Sequence, residues 1–284
     1  MKSFLFSHRG AMGDFILTWP TLLALRTHFH DCRFVGLGKP DHMQMAKEFC
    51  LVDDFYDCES AALLPFYSGE EWPAFLGTVE GAVLWMESDS KLQSMLESKC
   101  KGVSVFHSPF PKDDRHVMDY HLSLLEKFSL PIPSESEVYM PLKTSRGKYA
   151  LIHPGSGKAE KNYAAEFYAF IAQELKSTRF PDVRIVLGPN ELDLQSIFEQ
   201  RFTIEKPQSC LDLAQLIANS ALFIGNDSGV SHLAAITGTK TLGLYKDNNH
   251  RQWGLRGKQA QCLEAASEAQ AMTRIQRVLK ELEV

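Results

Sequence analysis

YALIHPGSGKAEKN, residues 149–162, opens with the apolar run Tyr149-Ala150-Leu151-Ile152 and passes through Gly155 and Gly157 to Lys158 and Lys161. A helical pattern of apolar residues follows from Ala164 to Leu175. The segment therefore reads as strand, glycine turn, helix. A nucleoside-triphosphate cradle requires G-x-x-x-x-G-K-[ST]. Here Ile152 stands five positions before Gly157, and Ala159 follows Lys158. The turn glycine and the Mg²⁺-binding hydroxyl are both missing, which leaves a turn suited to some other phosphate.

The same unit recurs on either side. Phe4-Leu5-Phe6 leads through Arg9-Gly10-Ala11-Met12-Gly13-Asp14 into a helical pattern from Ile16 to Phe29. Apolar runs at Arg33–Leu37, Asp54–Tyr56, Ala82–Trp85 and Val103–Phe106 alternate with helical segments at Met43–Phe49, Lys91–Glu97 and His116–Phe128. After residue 149 the alternation resumes, with helix Ala164–Leu175, strand Val183–Leu187, helices Leu192–Glu199 and Leu211–Ile217, strand Ala221–Ile224, helix Val230–Ile236, strand Thr241–Leu244 and a last helix, Glu268–Leu282. Strands alternating with helices predict parallel sheets. Between them the polar, turn-forming Pro141–Lys148 breaks the pattern, which places a domain boundary there: residues 1–142 and 143–284. Two such halves predict a cleft, with ligands at the carboxyl ends of the strands.

A chain of 284 residues that is 44% hydrophobic and 23% charged has the composition of a globular protein of two domains. The apolar run Phe15–Leu25 is about half the ~20 residues that span a bilayer, and Pro20 interrupts it. With no export signal at the N-terminus, a cytoplasmic protein is expected. The six cysteines show no C-x-x-C pair and no zinc-finger spacing, and buried thiols account for them. Residues 1–130 carry 12 Lys/Arg against 18 Asp/Glu, and residues 131–284 carry 18 against 17. That balance offers no basic stripe for nucleic acid. No D-x-D carboxylate pair occurs, so no metal is expected in the site.

Three strand-to-helix turns combine glycine with a charged or hydroxyl residue: Gly13-Asp14; Gly155-Ser156-Gly157-Lys158 with Lys161; and Asn226-Asp227-Ser228-Gly229. Unpaired N–H groups and the positive helix end make such turns favourable for anions. The second and third lie in one half and could converge on a single diphosphate. Each has a plainer reading when taken singly: Asp14 as a helix cap, Lys161 as a solvated lysine, Asp227 and Ser228 as ordinary N-cap residues.

Taken together, RGAMGDFILTWPTLLALR, HPGSGKAEKNYAAEFYAFIAQEL and NDSGVSHLAAITGTKTLGLY resemble, in order and spacing, the three signatures of glycosyltransferase family 9, the ADP-heptose:lipopolysaccharide heptosyltransferases. The resemblance runs over nearly the whole chain. It implies a GT-B architecture, two Rossmann-like domains facing each other across a central cleft. The acceptor would be bound by the first domain and the nucleotide-sugar by the second, with the final helix packing back on the first. It places Asp14, beside Gly13, on the family's proposed catalytic base and Lys161 on the lysine that meets the donor phosphates. Gly155, Ser156 and Gly157 fall on the donor turn, and Asp227, Ser228 and Gly229 on the donor-sugar and diphosphate turn. Glu191 falls on a carboxylate for the nucleotide ribose, although an exposed glutamate at a helix start is an equally ordinary reading. His232 reads as a core residue.

The implied activity is an inverting, metal-independent transfer from a nucleotide-diphospho-sugar, ADP-heptose being favoured, to a bacterial surface glycan or lipopolysaccharide core. No cofactor is implied beyond that co-substrate, and the glycolipid acceptor implies peripheral contact with the inner membrane. The chain departs from the family at Lys161-Asn162-Tyr163, where Lys-Arg-Trp or Lys-His-Trp is usual, and at Lys246-Asp247-Asn248, where Gly-Pro-Thr is usual. Two alternatives stand beside this reading: a related transferase with another donor and a non-lipid acceptor, and a non-catalytic homologue that binds sugar nucleotides.

Overall fold

The computed structural model describes residues 2–134, 140, 147, 149–247 and 249–281. The chain divides into two compact units, Met1–Val138 and Tyr139–Val284. Apart from Gly147, the expected boundary segment Pro141–Lys148 lies outside the described residues, as does Asn248.

The first unit runs β1 (Lys2–His8), α1 (Met12–Leu17), α2 (Trp19–His28), β2 (Arg33–Gly38), α3 (Pro40–Glu48), β3 (Asp54–Asp57), α4 (Leu64–Tyr67), β4 (Thr78–Trp85), α5 (Ser90–Lys99), β5 (Ser104–Phe106) and α6 (Val117–Ser123). Its sheet is parallel throughout, in the order β3-β2-β1-β4-β5. From Ser3 to His8, β1 is buried, as a central strand covered on both faces must be. Phe4 stacks on Phe34 at 4.7 Å between ring centroids. A Cβ at Gly81 would lie 2.6 Å from the Phe4 ring, so only glycine fits beside it on β4.

The single helix expected from Ile16 to Phe29 is two helices. Thr18 ends α1, its hydroxyl donating to Phe15 O at 2.7 Å, and Pro20 sits in the first turn of α2. Proline has no N–H to give the preceding turn, which is why the helix restarts there. The expected helix His116–Phe128 is likewise α6 followed by a 3₁₀ turn, Leu124–Phe128.

The second unit runs β6 (Tyr149–His153), α7 (Ala165–Thr178), β7 (Asp182–Val186), α8 (Gln195–Phe198), β8 (Thr203–Glu205), α9 (Cys210–Ala218), β9 (Leu222–Asn226), α10 (Gly229–Ile236), β10 (Thr241–Tyr245), α11 (His250–Trp253), β11 (Ala260–Glu264) and α12 (Glu268–Glu281). Its parallel sheet has the order β11-β10-β9-β6-β7-β8. Both orders reverse direction at the unit's first strand, β1 or β6, the doubly wound arrangement whose ligands sit at the carboxyl ends of the strands flanking the reversal.

The expected helix Leu192–Glu199 is a 3₁₀ turn, Pro189–Leu194, followed by the short α8. The sequence reading lacked β8, α11 and β11. The final helix buries Ala271, Ile275, Val278 and Leu279 in the core of the second unit, with Phe167, Ile171 and Leu175 of α7 in the same cluster. Each of the larger of these side chains contributes roughly 1.5–3 kcal/mol on burial. None of the six cysteines is in a disulfide. No helix among the described residues is long and apolar enough to cross a membrane.

Candidate active site

In the second unit, β6 and β9 are neighbours, with His153 opposite Gly225. Their carboxyl ends release the two anion-suited turns side by side. Asn226, fully buried at the end of β9, fastens one to the other. Its Nδ2 donates to Pro154 O at 2.7 Å, Gly155 O at 3.3 Å and Asn162 Oδ1 at 3.0 Å, and its Oδ1 accepts from the Tyr168 hydroxyl on α7. A buried amide with donor and acceptor both engaged holds its neighbours in one geometry.

The first of these turns is stabilised locally. Ser156 Oγ donates to Lys158 O at 2.7 Å, and Gly157 has open space where a Cβ would stand. The chain then forms a 3₁₀ turn, Ala159–Lys161, so Lys161 belongs to that turn and not to a long helix. Its Nζ lies 2.6 Å from Asp227 Oδ2. Asp227 is 7% exposed, a position in which a carboxylate needs a partner. Asn249 Nδ2 donates to the same oxygen, also at 2.6 Å.

Ser228 caps α10, its Oγ accepting from Ser231 N at 3.3 Å, and Gly229 is that helix's first residue. Ser231 Oγ closes the turn on Asn226 O at 2.5 Å. His232 is buried. Lys246, after β10, donates to Asn162 O and lies over the Tyr163 ring at 5.2 Å. Lys161 thus ties the stretch 161–163 to Asp227, and Lys246 ties it to the end of β10.

Glu191 is not the exposed glutamate of the plainer sequence reading; it is 8% exposed. Its Oε2 accepts from Gly188 N at 2.9 Å, and its side chain covers Gly155 so closely that a Cβ there would collide with Oε1, Cδ and Cγ. Gly155 is therefore a glycine because a carboxylate packs on it. His153 is buried beside Glu191, with Nδ1 3.1 Å from Val186 O. A carbonyl only accepts, so Nδ1 carries the proton. Burial lowers the His153 pKa, against the opposing pull of Glu191.

In the first unit, Gly13 and Asp14 lie in the first turn of α1, where Ala11 is the N-cap and offers no side-chain cap. Asp14 is therefore not the N-cap residue of its helix. Its carboxylate flanks Gly10, where a Cβ would stand 3.3 Å from Asp14 Oδ2 and 2.9 Å from His8 Cε1. Behind this turn stand buried rings at the ends of β1 and β4: His8, Trp85 and, on α6, His121, with Trp85 Nε1 donating to His121 Nδ1 at 3.3 Å. Burial lowers the His8 pKa to about 3 and pushes that of His121 well down.

The structure brings Lys161 to Asp227, and Glu191 to Gly155. Asn226 reads in the sequence only as the first residue of its turn, and Asn162, Lys246 and Asn249 are missing from the residues read as a site, because an amide is ordinary in any turn and Lys246 lies far from Lys161 in sequence. Among the described residues no group of three or more His, Cys, Asp or Glu side chains could hold a metal.

The model of glycosyltransferase family 9 (heptosyltransferase) matches residues 115–283. Lipooligosaccharide heptosyltransferase 2 of Campylobacter jejuni is 25% identical over 256 residues, covering 82% of this chain and 77% of that protein. The E. coli heptosyltransferase WaaC, solved with ADP, superposes with a TM-score of 0.77 at 15% identity over 99% of each chain. E. coli ADP-heptose lps heptosyltransferase II superposes at 0.75 and 13% identity, covering 99% of this chain and 100% of that one. Likeness over this length shows the fold: two Rossmann-like parallel-sheet domains of the GT-B class.

Proposed function

From the premise that this chain belongs to glycosyltransferase family 9 and is a glycosyltransferase, we propose that it transfers a sugar, with inversion, from a nucleotide-diphospho-sugar held in its second unit. ADP-heptose is the favoured donor and a lipopolysaccharide-core or other surface glycan the acceptor. The observation that carries this reading is the pairing of Lys161 with Asp227 at 2.6 Å, on turns that Asn226 ties together.

Lys161 and the turn N–H groups meet the diphosphate, supplying the positive field that stabilises it as it leaves. This chemistry needs no divalent ion. Gly155–Gly157 and Ser228-Gly229 let the backbone approach the phosphates, Asp227 accepts from donor-sugar hydroxyls, and Glu191 accepts from the nucleotide ribose. Asp14 is the general base. An alcohol is a poor nucleophile at neutral pH, and a carboxylate that takes its proton as it attacks the anomeric carbon lowers that barrier.

A second reading, in which the acceptor is a neutral glycan without lipid, is favoured by the acidic balance of residues 1–130, 12 Lys/Arg against 18 Asp/Glu. Such a balance disfavours an anionic acceptor.

The test is mass spectrometry of products after incubation with ADP-heptose, UDP-glucose or GDP-mannose and acceptor extracts. Acceptor gaining one heptosyl residue supports the first reading. Gain of another hexosyl residue on a lipid-free glycan supports the second, and nucleotide binding without product supports a non-catalytic protein.

A further inference from the structure

We propose that Asn249 is a positioning residue of the donor pocket: by holding Asp227 Oδ2, it fixes the carboxylate that meets the donor sugar. This rests on the reading of Asp227 given above and names a residue which that reading does not include.

Asn249 is anchored on all sides. Its N–H donates to Asp247 Oδ1 at 2.9 Å, and its carbonyl accepts from Gln252 N at 3.1 Å and Trp253 N at 2.8 Å, which seats it at the start of α11. The side-chain amide then reaches back to Asp227 Oδ2 at 2.6 Å, the oxygen that Lys161 also holds at 2.6 Å. Asp227 N donates to Leu244 O at 3.2 Å, so its backbone is fixed to β10 as well.

The two partners of that oxygen differ in what a ligand does to them. An arriving diphosphate competes for the Lys161 ammonium, a cation on a flexible stem. Asn249 carries no charge, so the diphosphate has little hold on it. With the donor bound, Asn249 is the partner that keeps the buried Asp227 carboxylate hydrogen-bonded and in place. Bare nucleoside diphosphate presents no sugar to Asp227 and does not depend on that placement. The sugar part of the donor does.

The experiment compares binding of ADP with ADP-heptose, UDP with UDP-glucose and GDP with GDP-mannose, using the pair that wild-type protein binds tightest. Asn249→Ala, Asn249→Gln and Asn249→Ser are each checked for folding by thermal melting. In Asn249→Ala the nucleoside diphosphate keeps its wild-type affinity while its sugar form loses about tenfold or more, the scale of one hydrogen bond to a charged group. The donor KM rises and Asn249→Gln, which keeps the amide, recovers part of the loss. Should the Ala protein not fold, Asn249→Ser, lacking the amide, is held to the same expectation. An unchanged ratio of sugar-form to bare-nucleotide affinity overturns the proposal, as does equal loss of both, which marks a merely structural role. Wild-type protein that binds none of the six nucleotides overturns the donor-pocket reading and this inference with it.

Discussion

Lys161 Nζ and Asp227 Oδ2 are 2.6 Å apart, although one residue follows β6 and the other follows β9. The pair is the direct ionic link between the two turns, and Lys161 is the more exposed partner. Replacing Lys161 by Ala is expected to weaken nucleoside-diphosphate binding by roughly 1.5–3 kcal/mol, the worth of a charge-assisted hydrogen bond. Calorimetric titration of ADP, UDP and GDP measures this, and unchanged affinities would remove Lys161 from the phosphates.

Gly155→Ala tests the seat of Glu191. The new Cβ collides with Glu191 Oε1, Cδ and Cγ, and Glu191 can yield only by leaving Gly188 N. The variant is expected to lose about tenfold in ADP affinity, a hydrogen bond's worth at the ribose, while inorganic pyrophosphate, which has no ribose, binds as to wild type. Equal loss of both ligands would mean that the turn itself had collapsed.

Stability should fall with acid well before the carboxylates titrate. Burial lowers the pKa of His8 to about 3 and of His107 to about 4, lowers that of His42 and pushes that of His121 well down, all in the first unit. In the unfolded chain these groups protonate near pH 6.5. Between there and about pH 4 the unfolded state binds more protons than the native one, so stability decreases as pH falls. Melting temperatures measured from pH 7.5 to 4.5 should drop steadily. A flat profile would mean that these imidazoles are protonated in the native fold.

Sugar transfer should persist in EDTA. In the proposed mechanism Lys161 and the backbone N–H groups at Ser228-Gly229 supply the positive field that a metal provides elsewhere. Initial rates with and without EDTA, then with Mg²⁺ or Mn²⁺ restored, are expected to agree. Abolition by EDTA and recovery with the ion would assign the leaving diphosphate to a metal.

The parts of this fold that were legible in the sequence are those with strong apolar periodicity next to glycine. Phe4–Phe6 before Gly10, Tyr149–Ile152 before Gly155 and Ala221–Ile224 before Asp227 fall on central parallel strands that are buried over nearly their whole length, which read as unbroken apolar runs. The strands that were missed are at the sheet edges. Thr203-Ile204-Glu205 and Ala260-Gln261-Cys262-Leu263-Glu264 are β8 and β11 at the two ends of one sheet, partly exposed and interrupted by polar residues. Glu191 was legible as a carboxylate near a turn but not as a buried one, since its burial comes from Gly155, a residue on another strand's loop. Asn226 was legible as the first residue of its turn but not as the tie between two turns, and Asn249 carried no signal, because an amide is ordinary in any turn and only the fold brings their partners within reach.

The central claim, sugar transfer with Asp14 as the base, is tested most directly by the turnover of Asp14→Asn. Asn is nearly isosteric with Asp and keeps an acceptor oxygen, but as an amide it cannot take up a proton at neutral pH. Because Asn keeps the shape of Asp and an acceptor oxygen in the first turn of α1, the exchange is expected to leave folding intact, and nucleotide binding, assigned to the second unit, unchanged. Transfer is expected to fall by about 10²–10⁴-fold, the usual worth of a positioned base. Near wild-type turnover by the Asn protein would contradict the mechanism.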